Sequence, residues 1–143
     1  MKLLATDMDG TFLRDDKSYS EEFNDLYKQM LKQGIQFVIA SGNQYEALVC
    51  KFDDDIKDDL YYLCENGTKI VYQGKTLYKK ALEKQDAQEV LDILKEDQEC
   101  MLVVSGDKHA YISKSFADKK DFISLFMKNV QFVESYDDIE DDI

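Results

Sequence analysis

The stretch KLLATDMDGTFL (residues 2–13) starts as a short apolar strand, Lys2 to Thr6, and stops at Asp7. Asp7-Met8-Asp9-Gly10-Thr11 then sets two carboxylates, a glycine and a hydroxyl at the strand's carboxyl end. In a parallel sheet, ligands bind in the crevice beyond such ends, so chemistry is expected here. The i, i+2 spacing of Asp7 and Asp9 sends both acids the same way as the strand opens into its loop. Gly10 permits a tight turn close to a ligand. Two crowded carboxylates repel and raise one another's pKa unless a divalent cation holds one of them ionised. A metal-bound carboxylate can attack phosphorus, while the second acid protonates the leaving oxygen and later activates water. The same residues also read as a solvated Asp-Gly turn. A calcium loop shares the D-x-D-G opening, but Phe12 and Leu13 interrupt the oxygen ligands that a loop of about 12 residues must supply.

Downstream, a polar stretch from Arg14 to Tyr19 leads to Ser20, a candidate cap for a helix with Phe23, Leu26, Tyr27, Met30 and Leu31 on one face. Gly34 ends that helix, and Ile35 to Ala40 (IQFVIA) is a second apolar strand. A strand-helix-strand succession of this length implies parallel pairing with a right-handed crossover. A second helix is predicted from about Gln44 to Phe52, with Tyr45, Leu48, Val49 and Phe52 on one face, and a third strand from Leu60 to Cys64. Thr68 to Tyr72 and Thr76 to Tyr78 alternate around Gln73-Gly74-Lys75, a hairpin signature.

The remainder changes character. A helix is predicted from about Gln85 to Glu96 with Ala87, Val90, Leu91 and Leu94 inward, then strands Met101 to Ser105 and His109 to Ser113. A last helix, Asp118 to Asn129 with Phe122, Leu125 and Phe126 inward, precedes a strand at Gln131 to Val133. The fold class is therefore α/β over residues 1–81, a three-stranded parallel core, followed by a smaller α+β part over 82–143. Ser105-Gly106-Asp107-Lys108 lies between two alternating strands and reads as a hairpin turn, with His109 an ordinary strand residue. The acidic run from Asp137 to Asp142 reads as a solvated or frayed end.

Composition narrows the function. The 143 residues correspond to roughly one domain, and at 44% hydrophobic and 34% charged they hold enough apolar side chain for a core. Eighteen basic residues against 30 acidic ones leave a net charge of −12, which repels phosphate backbones and anionic lipid. Nucleic acid and membrane are thus disfavoured as partners. No leader or spanning segment is evident, and the three cysteines lack C-x-x-C spacing beside a single histidine, so reduced, mostly buried thiols in a cytoplasmic protein are expected.

DMDGT after an apolar strand, then Ser41-Gly42-Asn43 after the second strand and Glu65-Asn66-Gly67 after the third, resembles the haloacid dehalogenase (HAD) superfamily, in particular its Cof-type sugar-phosphatase branch. The resemblance covers the whole chain in order and spacing. It implies a partial Rossmann-like core with a partial cap, and Mg2+-dependent hydrolysis of a phosphate monoester, with a small phosphorylated metabolite, such as a sugar phosphate, as partner. Asp7 would be the phosphoryl-accepting nucleophile and Asp9 the general acid and base. Magnesium would be held by the Asp7 carboxylate and the Asp9 backbone carbonyl. Ser41 and the amides around Gly10 and Gly42 would bind the phosphoryl oxygens, with Thr11, Asn43, Asn66 and Gly67 along the substrate cleft.

Each of these positions has a plainer reading. Ser41 can cap the following helix. Asn66-Gly67 between two strands is a strong hairpin-turn signal. Asn43 stands where the family usually has Arg. The family's downstream lysine and Gly-Asp metal segment have no counterpart before Ile143, and chain order places no substitute lysine or acidic pair in the core, so the carboxylate pair is expected to lack a balancing cation. Two alternatives follow: a non-catalytic remnant that folds or associates without turnover, and a receiver-like phospho-acceptor domain. In the family the sheet continues beyond the first strand, so Lys2 to Thr6 should be an apolar edge available for homo-oligomer formation.

Overall fold

The computed structural model describes residues 2–94, 100–124 and 127–143. Contacts divide the chain into two units, Met1–Lys80 and Ala81–Ile143, each with its own core.

The first unit is a five-stranded sheet in the order β1-β2-β3-β4-β5, formed by Lys2–Asp7, Ile35–Ala40, Tyr61–Cys64, Lys69–Tyr72 and Lys75–Lys79. The first three strands are parallel and the last two antiparallel. The parallel core is thus extended by a hairpin, whose two-residue turn places Gln73 and Gly74 at φ 51° and 68°, the left-handed pair that matches strand twist. Two helices link the parallel strands, α1 (Phe23–Lys32) and α2 (Tyr45–Val49). Right-handed crossovers in the order β1-β2-β3 put both helices on one face. That face holds the core: Phe37 and Ile39 of β2, Tyr62 and Cys64 of β3 and Val71 of β4 pack under Phe23, Tyr27, Leu48 and Phe52. The Tyr27 hydroxyl donates to the Asp59 carbonyl at 2.6 Å, and the Tyr62 hydroxyl to the Lys57 carbonyl at 2.9 Å, which satisfies both buried phenols.

Several local expectations are corrected. The Ser20 side chain does not cap α1. A turn intervenes, the Phe23 N–H bonds the Ser20 carbonyl, and the cap position falls at Glu22. Leu26, expected inward, is 54% exposed, because α1 packs on β2 and β1, on its outer side, has no further strand beyond it among the described residues. The second helix is five residues long, yet Phe52 still reaches the core from the turn that follows.

The second unit carries α3 (Lys84–Leu94) and a three-stranded sheet in the order β6-β7-β8, formed by Val103–Ser105, Ala110–Ser113 and Val130–Val133. β6 and β7 are antiparallel, and β7 and β8 are parallel through a crossover that includes α4 (Lys120–Ser124). Leu91, Val104, Tyr111 and Val133 form its core. Val90, Leu94 and Phe122, expected inward, are exposed, and Ile123 is buried instead. The predicted end of the third helix at Glu96 and the predicted core residues Leu125 and Phe126 lie outside the described residues.

The acidic end is no frayed tail. Its segment folds back over the β6–β7 turn: the Asp107 N–H donates to the Asp142 carbonyl at 2.9 Å and the Lys108 N–H to Asp141 Oδ2 at 2.7 Å. Gly106 is needed beneath it, since a Cβ there would lie 2.5 Å from Asp141 Oδ2.

Candidate active site

The loop after β1 is built from one buried and one half-buried anchor. Met8 is fully buried, and Phe12 packs edge-on against Phe23 with ring centroids 4.7 Å apart. The Leu13 N–H closes the loop onto the Met8 carbonyl at 2.8 Å, and Gly10 makes the bend at φ 73°, a left-handed conformation that favours glycine. Pinning Met8 and Phe12 inward leaves Asp7, Asp9, Gly10 and Thr11 exposed. Asp7 is in register with Ala40, so Asp7 and Ser41 leave neighbouring parallel strands at the same edge of the sheet. The Thr11 side, by contrast, lines an apolar groove between β1 and α1.

Ser41-Gly42-Asn43 and Glu65-Asn66-Gly67 are joined by their backbones. The Asn66 N–H donates to the Ser41 carbonyl at 3.2 Å and the Glu65 N–H to the Asn43 carbonyl at 3.1 Å. Gly42 permits this closeness, because a Cβ there would meet Asn66 Oδ1 at 3.1 Å. Asn66-Gly67 does connect two antiparallel strands, β3 and β4, but the turn begins one residue earlier, with Glu65, Asn66 and Gly67 all at positive φ. The turn and the cleft position are therefore the same piece of chain. Ser41 is not the helix cap: its Oγ accepts from the Asn43 N–H at 3.2 Å, while α2 starts after Gln44.

Asp9 is where the sequence reading needs its main correction. The carboxylate pair does not stand without cations, because Lys17 Nζ lies 2.7 Å from Asp9 Oδ1. A compact turn delivers it. The Arg14 N–H bonds the Ser18 carbonyl, the Lys17 N–H bonds the Arg14 carbonyl, and Asp16 Oδ1 accepts from both the N–H and hydroxyl of Ser18. Lys17 itself sits at φ 66°. The Lys17 contact holds the Asp9 carboxyl below the usual carboxylate range; partial burial opposes this, while the charge of Lys51 and a hydrogen bond from Asn43 assist it. The signal for Lys17 was the Asp16-x-Ser18 spacing, which favours an Asx turn and folds the chain back toward the loop. Asp7 is exposed, and among the described residues its carboxylate has no hydrogen-bond or ion-pair partner.

The donors available for a metal are hard oxygens: the Asp7 and Asp9 carboxylates and nearby carbonyls. That set suits magnesium, which is held by one or two carboxylates and keeps several waters. No group of three His, Cys, Asp or Glu that could hold a metal occurs among the described residues, so a dedicated protein cage is not formed by them. Elsewhere, Gly106 closes the β6–β7 hairpin with its N–H on the His109 carbonyl at 2.8 Å, in keeping with a turn at Ser105 to Lys108. Of the three thiols only Cys64 is buried, and burial pushes it up to about 12; Cys50 and Cys100 are exposed, contrary to the expectation that most would be buried.

Comparison with known proteins bears on all of this. A family model for haloacid dehalogenase-like hydrolases matches residues 4–143. The chain is 37% identical over 143 residues to an Escherichia coli protein named 5-amino-6-(5-phospho-D-ribitylamino)uracil phosphatase YbjI, covering 99% of this chain and 52% of that protein. SMU.1108c from Streptococcus mutans superposes with a TM-score of 0.86 at 29% identity, over 99% of this chain and 54% of the other. A haloacid dehalogenase-like hydrolase from B. subtilis shares the fold, with a TM-score of 0.78 at 17% identity over 99% of this chain and 58% of the other. The chain thus spans about half the length of these relatives.

Proposed function

The chain belongs to the haloacid dehalogenase-like hydrolases, and from that premise we propose that it carries the phosphoryl-accepting part of a phosphate-monoester hydrolase site. The observation behind this reading is the common sheet edge shared by Asp7, Ser41 and the loop of Asp9. An oxygen of the Asp7 carboxylate attacks phosphorus, the ester P–O bond breaks, and the leaving oxygen takes a proton from the Asp9 carboxyl. Asp9, now ionised, takes a proton from water, whose oxygen attacks the same phosphorus. The bond to Asp7 then breaks and inorganic phosphate leaves. Ser41 Oγ and the amides near Gly10 and Gly42 bind phosphoryl oxygens, and Asn43, Asn66 and Gly67 border the substrate, while Thr11 lines the β1–α1 groove instead. The Asp7 carboxylate and the Asp9 backbone carbonyl would hold magnesium, which when bound supplies positive charge against the phosphoryl oxygens.

The Lys17 contact bears on the order of events. Asp9 paired with Lys17 is in its base form, suited to activating water, and the acid step requires that pair to open as the leaving group arrives. A small phosphorylated metabolite is the substrate class. The relative named for a phosphorylated ribitylamino-uracil makes a sugar-alcohol phosphate the first compound to try.

A second reading is a non-catalytic HAD remnant, favoured by the Asp7 carboxylate having no cation partner among the described residues while Lys17 is taken up by Asp9. Losing one preorganised electrostatic group costs roughly 100- to 1000-fold in turnover, so the 143-residue chain is expected to hydrolyse p-nitrophenyl phosphate with magnesium only very slowly. Any turnover should vanish in Asp7→Asn. Turnover at about 1 per second or faster that depends on Asp7 would discard the remnant reading, whereas activity that survives Asp7→Asn would discard Asp7 as nucleophile.

A further inference from the structure

Lys17 reaches Asp9 from a strained turn. Its ammonium lies 2.7 Å from Asp9 Oδ1, while its backbone sits at φ 66°, a left-handed value that residues other than glycine, asparagine and aspartate rarely adopt. Local bonds hold the turn in place. The Arg14 N–H reaches the Ser18 carbonyl at 2.8 Å, the Lys17 N–H reaches the Arg14 carbonyl at 2.9 Å, and Asp16 Oδ1 accepts from the Ser18 N–H at 3.0 Å and from its hydroxyl at 2.6 Å. Strain that neighbouring bonds over-determine is found at ligand clamps and switch positions. Two further groups act on the same carboxylate: the Asn43 side chain donates to it, and Lys51 adds a second positive charge. Asp9, Lys17, Asn43 and Lys51 all belong to the first unit. In a chain of net charge −12, two ammonium groups thus bear on the acid that faces the leaving group.

Geometry limits where that leaving group lies. To take a proton from Asp9, the ester oxygen must come within about 3 Å of a carboxyl oxygen, which puts it at most about 8 Å from Lys17 Nζ whichever of the two oxygens is used. A negative group a few bonds along the leaving part closes most of that gap. The flexible four-carbon stem of the exposed lysine closes the rest.

We propose that Lys17 is a specificity-determining residue that exchanges Asp9 for an anionic group on the leaving part of the substrate, so that the site selects phosphate monoesters with a negative charge, a carboxylate being the simplest case, close to the ester oxygen. The inference rests on the reading of Asp7 as nucleophile and Asp9 as acid. The exchange keeps the ammonium paired while it frees the Asp9 oxygen that must face the ester oxygen. A neutral leaving group offers no such partner, and Lys17 then stays across that oxygen.

Binding, which needs no turnover, tests this with two matched esters. 3-Phosphoglycerate and glycerol 3-phosphate differ in a carboxylate against a hydroxymethyl group. The amide signals of Gly10, Ser41 and Gly42 are followed by nitrogen-15 NMR as each ester, and inorganic phosphate, is added with magnesium at about 0.05 M salt, where charges near the surface are only partly screened. The 143-residue chain should bind 3-phosphoglycerate about fivefold more tightly than glycerol 3-phosphate. Lys17→Met should bring that ratio to about one, Lys17→Arg should keep most of it, and Lys17→Glu should invert it. The amide spectrum of each variant shows at the same time whether the fold is intact. A ratio near one in the unaltered chain, or a preference that persists in Lys17→Met, overturns the proposal. If inorganic phosphate and both esters leave the three amides unmoved, the phosphatase reading falls and the inference falls with it. Phosphate that moves them without any preference between the esters leaves that reading standing and removes this one.

Discussion

Lys17 shows how one side chain alters what a carboxylate can do. Its ammonium lies against Asp9 at 2.7 Å, and the Asp9 carboxyl is held low by that contact before anything else. Because the folded value is depressed, the pair favours the fold above the unfolded value of about 3.9, and that contribution is lost as pH falls through the folded value. Both side chains are more than half exposed, so the effect on stability is small and the effect on proton chemistry is what matters. Lys17→Met should raise the Asp9 carboxyl pKa toward its ordinary value, read by carbon NMR titration, and Lys17→Arg should restore it. An unchanged Asp9 titration in Lys17→Met would mean that the contact is too weakly held to tune the acid. This measurement needs no turnover, so it stands whether or not the chain is an active phosphatase.

At the scale of elements, the closing segment of the second unit does structural work that its composition conceals. Asp141 Oδ2 accepts from the Lys108 N–H at 2.7 Å and from the Tyr111 hydroxyl at 3.1 Å, locking the segment onto the β6–β7 turn. Burial acts to raise the Asp141 carboxyl, but the donated hydrogen bonds outweigh it and the net shift is downward. The sign follows: the ionised carboxylate favours the fold above about pH 3.9, and this is lost as pH falls through the lower folded value. Asp141→Ala should destabilise the second unit by about 1 kcal/mol and speed exchange of the Lys108 amide. It should also remove part of the unit's acid sensitivity. Unchanged Lys108 exchange in that variant would mean the segment is held by its backbone bonds alone.

For the whole molecule, the three thiols provide a probe of integrity. Cys50 and Cys100 are exposed, whereas Cys64 is fully buried in the first core with its thiol pushed up to about 12. Iodoacetamide should modify two thiols quickly. The third should react only through opening of the first unit, slower by about 1000-fold or more for a unit of ordinary stability. Fast reaction of all three under native conditions would mean that the first core opens readily.

Much of the first unit was legible in the linear order of residues. An apolar run, a helix-period stripe and a second apolar run of these lengths leave parallel pairing as the only short route, and parallel pairing delivers Asp7 and Ser41 to one edge. Gly10 and the Asn66-Gly67 turn were legible because few other residues tolerate such conformations, whereas Gly42 was marked by the family resemblance alone. Only the tertiary structure decided which flank of each helix was covered. Periodicity marks an apolar stripe on α1 or α3, but burial of Leu26, Val90 or Leu94 depends on what lies opposite, and nothing in the local pattern states that. The same holds for charge. Lys17 and Asp141 read as solvated residues in polar runs, and only the folding back of their loops brings a carboxylate within about 3 Å of its partner, the distance at which a charge begins to act on one group rather than on the solvent.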